Sequence, residues 1–149
     1  MANKRVLPPT YFYITLLFVA ILYLIFPIKT ILNFPVNLTG LIPGIAGAVL
    51  NIIADKEFKK ANTTVKPFEK SSTLITRGAF QISRNPMYLG MVLILISASM
   101  ITGTLSPFFV IPPFIIFIQI VFINEEEKIL EAEFGDDWEN YKTKVRRWI

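Results

Sequence analysis

The side chains in this sequence that could do chemistry lie in two short polar motifs. The first reads Gly78-Ala79-Phe80-Gln81-Ile82-Ser83-Arg84-Asn85-Pro86-Met87-Tyr88-Leu89-Gly90, and the second Glu126-Glu127-Lys128-Ile129-Leu130-Glu131-Ala132-Glu133-Phe134-Gly135. Arg84 offers a planar fork of donors that fits a carboxylate or a phosphate, or that can hold Glu127 in place. Tyr88 and Phe80 present flat ring faces to a cation or to another ring. Glu126 can neutralise a cationic ligand, and Glu127 is the evident candidate for taking a proton. The chain has no histidine and no cysteine. The commonest general base and metal ligand are therefore absent, as are a thiolate nucleophile, a Cys-zinc site and a disulfide framework. No metal is expected. Catalysis has to run on carboxylates, Arg, Lys, Tyr, hydroxyls or a cofactor that brings its own reactivity.

The elements that must position these motifs are apolar. The 149-residue chain is 53% hydrophobic with a mean hydropathy of +0.53. Its apolar residues fall into charge-free runs at residues 11–28, 38–54, 87–104 and 105–123. A helix crosses the hydrocarbon with about 20 residues, and ~17 is the lower limit. The expected fold is an all-α integral membrane protein: one domain over residues 1–149, about four transmembrane helices, a cytoplasmic catalytic loop at 56–85 and a cytoplasmic helical tail at 124–149. A hairpin of the last two spans would return both motifs to one membrane face, where lipid gives way to water. Of the fifteen Lys and Arg residues, only Lys29 falls on the opposite side of that topology. The positive-inside rule then places both termini and the middle loop in the cytoplasm, with a prokaryotic plasma membrane as the expected location. The net charge of +4 is accounted for by these loops and calls for no nucleic acid. No small-residue cleavage pattern follows the first apolar run, so a cleaved signal peptide is not expected.

Within the spans, Gly40-x-x-x-Gly44 and then Gly47 form a small-residue face that allows close helix approach. It reads first as packing inside the bundle, with oligomerisation through the Gly40/Gly44 face as the alternative. Asn51 reads as structural. Pro107, Pro112 and Pro113 predict a kinked or broken fourth span, and Gln119 is expected to face the bundle rather than lipid. In the middle loop, Pro67 interrupts the chain and Ser71-Ser72-Thr73 suits a turn or a cap. Leu74, Ile75, Phe80 and Ile82 could pin this loop to the membrane or wall a pocket. Beyond the fourth span a helix should run to Gly135 and stop there. Asp136 and Glu139 then have capping-box spacing for a second short helix. Trp138, Tyr141, Val145 and Trp148 recur at helical intervals, and Arg146-Arg147-Trp148 reads as an interfacial anchor. Glu131, Glu133, Asp136 and Asp137 read as solvated.

Taken together, the two motifs resemble the isoprenylcysteine carboxyl methyltransferase and phospholipid methyltransferase superfamily of integral membrane enzymes. That family shows a glycine, Arg-His-Pro-x-Tyr beginning six positions later, an apolar hairpin, then Glu-Glu-x-x-Leu-x-x-x-Phe-Gly and an aromatic-rich tail. Gly78, Arg84, Pro86, Tyr88, Glu126, Glu127, Leu130, Phe134 and Gly135 fall in register, and Trp138, Tyr141 and Val145 continue the pattern. The likeness covers residues 63–148. It implies methyl transfer from S-adenosylmethionine, with Arg84 and Glu127 as catalytic residues. It also implies a cofactor site lined by Ser72, Thr73, Leu74, Ile75, Phe80, Asn85, Pro86, Met87, Tyr88 and Glu126. The implied partners are membrane lipid and a lipophilic or amphiphilic acceptor. Two positions depart from the pattern. Asn85 stands where the family has histidine, so it can hydrogen-bond but not transfer a proton. Phe122 stands one turn before Glu126, where eukaryotic isoprenylcysteine enzymes place an arginine for the substrate carboxylate. A phospholipid amine, an isoprenoid or a small hydrophobic thiol or acid is then a better acceptor than a prenylcysteine.

Two other readings compete. Sterol reductases carry a related Arg-containing motif and use a nicotinamide cofactor, although this chain is short for a sterol cavity. A non-enzymatic bundle could instead pack against a partner through Gly40 and Gly44.

Overall fold

A computed structural model of the chain describes residues 7–62 and 72–149. The expected turn or cap at Ser71, the break at Pro67, and the basic residues Lys4, Arg5, Lys66 and Lys70 lie outside these residues. The first long helix, α1, is Pro8–Ile25, and α2 is Leu41–Lys60, entered through a 3-10 turn at Val36–Gly40. After a second 3-10 turn at Gly78–Gln81 comes α3, Pro86–Thr102. A 3-10 turn at Ser106–Val110 then leads into α4, Ile111–Ile118, a π turn at Gln119–Ile123, and α5, Asn124–Lys144. Among the described residues the only extended pairing is an isolated bridge between Thr30 and Thr104. Among the described residues three helical stretches are long and apolar enough to cross a membrane: Pro8–Ile25, Val36–Lys60 and the rod Ser106–Lys144. The apolar α3 is 17 residues long. The protein is an all-α membrane protein, and the apolar part of its last rod ends at Ile123, beyond which charged residues begin.

Consecutive apolar helices run in opposite directions; α3 packs against α2 on one side and against α1 and α4 on the other, and α1 also lies along the start of the last rod. At one end Leu105 N–H donates to the Lys29 carbonyl at 2.9 Å, and Ile31 N–H to the Gly103 carbonyl at 2.8 Å. Gly103 closes α3 with φ +71°, where an added Cβ would collide with the Leu32 carbonyl oxygen. Only glycine fits that turn. At the other end Tyr11 of α1 meets Phe117 of the rod with the rings tilted, centroids 4.7 Å apart. That end also carries the C-terminus of α2, the N-terminus of α3 and the start of α5, so both polar motifs meet there.

The glycine face of α2 is used within the chain. A Cβ on Gly47 would lie 2.5 Å from the Gly90 carbonyl oxygen, and one on Gly90 would lie 2.7 Å from that of Gly47. Gly40 and Gly44 close in the same way on Ser97 and Met100 of α3. The expected packing role holds, and the alternative of oligomerisation through Gly40 and Gly44 is corrected: α3 already fills that face. Asn51 sits at the same crossing, within 2.6 Å of where a Cβ on Gly90 would stand. The lipid-ward side of α2 carries exposed Ile42, Ile45 and Val49.

The proline expectation is also corrected. Pro107 lies in the 3-10 turn, and Pro112 and Pro113 open the first turn of α4. A proline at the start of a helix gives up an N–H that has no intrahelical partner anyway. α4 therefore begins at the prolines instead of kinking at them, and the rod departs from α geometry in the 3-10 turn before them and in the π turn Gln119–Ile123 after α4. The break expected at Gly135 is present: φ +46° divides α5 there, and a Cβ would meet nothing within 4 Å. Glycine is needed at this point for its backbone freedom alone.

Two apolar clusters result. One fills the middle of the bundle with Phe12, Val19, Met91, Leu95, Phe114, Ile118 and Phe122. The other lies at the motif end and joins Ala54 of α2, Ile75, Ala79 and Phe80 of the loop, and Trp138, Tyr141 and Val145 of the tail.

Candidate functional site

The second apolar cluster is the floor on which the polar motifs stand. Trp138 is 1% exposed. Tyr141 donates its hydroxyl to the Phe80 carbonyl at 2.6 Å, which fixes the short turn Gly78–Gln81 against the tail. Phe80 meets Phe58 of α2 edge to face at 5.4 Å. Burial pushes the Tyr141 phenol above its ordinary pKa, with the Arg84 charge opposing, so the hydroxyl remains a donor. Beneath Gly78, the buried Glu57 of α2 accepts from Arg77 Nε at 2.7 Å and Lys60 Nζ at 2.8 Å. A Cβ on Gly78, whose φ is +61°, would press on the Glu57 side chain at 3.0 Å. Leu74 and Ile75 wall this cluster, Ile75 buried, while Ser72 and Thr73 lie exposed.

From this floor the chain runs through Ser83, Arg84 and Asn85 into α3, and the tail lies across it. Arg84 N–H donates to the Arg146 carbonyl at 3.0 Å. Ser83 Oγ and Asn85 Nδ2 both donate to the Arg147 carbonyl, at 3.0 and 3.1 Å, and Asn85 N–H donates to Ser83 Oγ at 3.1 Å. The Asn85 side chain thus latches the tail onto the start of α3. Pro86, fully buried, opens that helix, and Met87 packs back onto the second cluster.

Glu126 and Glu127 are consecutive in a helix, so they point to different neighbours. Glu126 accepts the Tyr88 hydroxyl at 2.6 Å. Glu127 accepts Arg84 Nη2 at 3.0 Å and Arg147 through both Nε and Nη2. The Arg84 and Glu127 side chains are 11% and 12% exposed. The Arg84 guanidinium also stands 5.6 Å from the Trp138 ring centroid, a cation–π distance. Its Nε is buried without an acceptor. Trp148 donates its indole N–H to Gln119 Oε1 at 3.1 Å, so Gln119 faces the bundle as expected.

The two carboxylates differ in their surroundings. Burial pushes the Glu126 carboxyl above its ordinary range; the Tyr88 hydrogen bond opposes this and the adjacent Glu127 charge adds to it. Among the described residues no cation pairs with Glu126, whereas Glu127 is held between two guanidinium groups. With two such partners Glu127 serves as a fixed counter-ion.

The site therefore unites Arg84, Asn85, Pro86, Tyr88, Glu126 and Glu127, with Phe80, Ile75 and Met87 in its floor. Arg147, Glu57 and Tyr141 complete it and were not singled out for the site by sequence. The reading of Arg147 and Trp148 as interfacial anchors is corrected, because both side chains turn inward to Glu127 and Gln119. Arg147 lies twenty positions beyond Glu127 in sequence and in no motif. Glu57 had one signal: it is an acid one turn beyond Ala54, on the face of α2 that turns inward.

The sequence matches the phospholipid methyltransferase family over residues 36–137, a stretch that contains both motifs and the hairpin between them. An uncharacterised protein of Haemophilus influenzae is 40% identical over 63 residues, covering 42% of this chain and the whole of that relative. The family match spans more than half of the chain, includes Arg84, Tyr88, Glu126 and Glu127, and falls on a helical membrane scaffold that gathers those four residues at one end. The chain belongs to the phospholipid methyltransferase family.

Proposed function

We propose that this membrane methyltransferase uses S-adenosylmethionine and methylates a lipophilic or amphiphilic acceptor at the cytoplasmic membrane face. The observation that carries the reading is a buried acid, Glu126, with a tyrosine but, among the described residues, no cation beside it, one residue from a carboxylate that is already neutralised. Burying a charge without a partner is costly, so Glu126 suits a ligand that brings positive charge. Arg84 Nε, buried and without an acceptor, suits one that also brings a carboxylate. The cofactor has both, and when bound it would supply an electrophilic methyl group with a neutral thioether as leaving group.

The chain's own residues bind and orient. Glu126, with Tyr88 as its donor, faces the cationic part of the cofactor. Arg84 is held by Glu127 and Trp138, with its free donor available to an anionic group. Phe80, Ile75, Leu74 and Met87 supply apolar wall, and Asn85 and Pro86 set the start of α3. Ser72 and Thr73 form the outer rim. Glu127 acts as the anion that fixes Arg84 and Arg147. Because bond making at the methyl needs alignment above all, a rigid floor matters more than an acid or base. An acceptor amine would have to arrive deprotonated, whereas a thiolate or carboxylate would need no help.

Both termini and the middle loop are assigned to the cytoplasm on the charge distribution, in a prokaryotic plasma membrane. The family match gives the nicotinamide reductase reading no support. The non-enzymatic reading loses its docking face to α3.

Calorimetric titration of S-adenosylhomocysteine into detergent-purified protein tests the proposal. Saturable binding that weakens at least tenfold in Glu126→Ala, about 1.4 kcal/mol, is the expected result. Folded wild-type protein that takes up no ligand would end this reading.

A further inference from the structure

The rings of α1 and the last rod enclose a groove that the cofactor site does not use. It has room for about 330 Å³ and is lined by Tyr11, Ile14, Phe18, Phe109, Phe114 and Phe117. Thr15, its one aliphatic hydroxyl, already donates to the Tyr11 carbonyl at 2.8 Å, so the lining offers an occupant little beyond hydrocarbon. Ile14, Phe18 and Phe109 are exposed, and they lie on segments that cross the membrane, so the groove opens to lipid. Because α1 and the rod are antiparallel, its long axis follows the spans. From Phe109 to Phe117 it extends about 12 Å at ~1.5 Å per residue.

One end of the groove reaches towards the site. Tyr11 stands 4.7 Å from Phe117 and 5.9 Å from Phe122, ring centre to ring centre. Phe122 stands 6.4 Å from Tyr88, whose hydroxyl is bonded to Glu126. Two rings thus separate the groove from the buried acid. The exposed face of α2, with Ile42, Ile45 and Val49, is aliphatic and has no such continuity.

Resting on the methyltransferase reading, we infer that this groove seats the hydrocarbon tail of the methyl acceptor. The tail lies parallel to the helices while the nucleophile at its head stands at the level of Tyr88 and Glu126. The acceptor is therefore a lipid with a flexible chain that approaches from within the bilayer between α1 and α4. Lipid tails are as apolar as the groove, so transfer from bilayer to groove brings no hydrophobic gain. Shape, and the hold of the site on the head, decide occupancy. The groove is a positioning device, and damage to it should appear in KM rather than kcat.

The test uses the full chain in nanodiscs containing phosphatidylethanolamine with a diazirine in mid-chain, and maps cross-links by peptide mass spectrometry. Labelling of residues 11–18 and 109–117 should exceed labelling of residues 42–53 several-fold. Ile14→Trp, which fills the groove, should reduce it, and Ile45→Trp on the open face of α2 should not. In parallel, methyl incorporation from S-adenosylmethionine into a bacterial total-lipid extract should show a several-fold higher KM for lipid in Ile14→Trp at unchanged kcat. Equal labelling of α2 and the groove, or an unaltered KM, overturns the inference. Wild-type protein that transfers no methyl group counts against the functional reading, and the labelling pattern then decides whether the groove holds a lipid chain.

Discussion

Glu126 and Glu127 are neighbours in sequence with opposite circumstances, and the difference predicts how the site responds to pH. Glu126 has its pKa raised above the ordinary 4.5 by burial. The folded state therefore binds more protons than the unfolded one as pH rises through that value. The contribution to stability is present below about 4.5 and is lost as pH climbs through the raised pKa. Urea unfolding across this window should show that loss in wild type and lack it in Glu126→Gln. A ligand ammonium beside Glu126 would pull the carboxyl back down, so S-adenosylhomocysteine, bound with its ammonium there, should release protons on binding in the same window. Titration in two buffers of different ionisation enthalpy measures that release directly. Arg147 carries a second residue-scale prediction. Its side chain is 34% exposed, so removing it should cost less than a fully buried pair, about 1–3 kcal/mol. Arg147→Lys should recover little of this, because an ammonium cannot reproduce the two-pronged bond to Glu127. Chemical denaturation of both variants checks the difference.

The elements show where the sequence was legible and where it was not. The charge-free runs located all four apolar helices, because a membrane leaves a long helix few alternatives. The glycine at 135 marked its break for a similarly local reason. The prolines misled because their effect depends on whether they stand inside a helix or at its start, and no run of apolar residues reveals that boundary. The motifs located Arg84, Tyr88, Glu126 and Glu127, but their partners were hidden. Arg147 and Tyr141 reach the site through the tail's return across Ser83 and Asn85, a tertiary fact with no local periodicity. The small-residue contact between α2 and α3 yields a direct prediction. Gly47→Leu would force its Cβ against the Gly90 carbonyl, so overpacking of about 1–3 kcal/mol should fall at the upper end. Thermal unfolding in detergent should register it, with Ile45→Leu on the exposed face as the silent comparison.

For the whole molecule, the polar end is a continuous assembly of α2, the loop, α3, α5 and tail, while the opposite end holds only short turns. The proposed orientation puts the polar end in the cytoplasm. The absence of cysteine makes this simple to check. A single cysteine at Lys29 should react with an impermeant maleimide added outside intact cells, and one at Lys142 should react only after permeabilisation. The reverse pattern would invert the topology.

The tail that crosses Ser83, Asn85 and Glu127 also sets an order of events during synthesis. Arg147 is translated after the four apolar segments described above, so these leave the ribosome before it does. Until then Glu127 has one guanidinium instead of two, and the start of α3 lacks its latch. A nascent chain caught during insertion is therefore a scaffold without its finished polar end, and the arrangement proposed to bind the cofactor is complete only once the tail has folded back among the lodged helices.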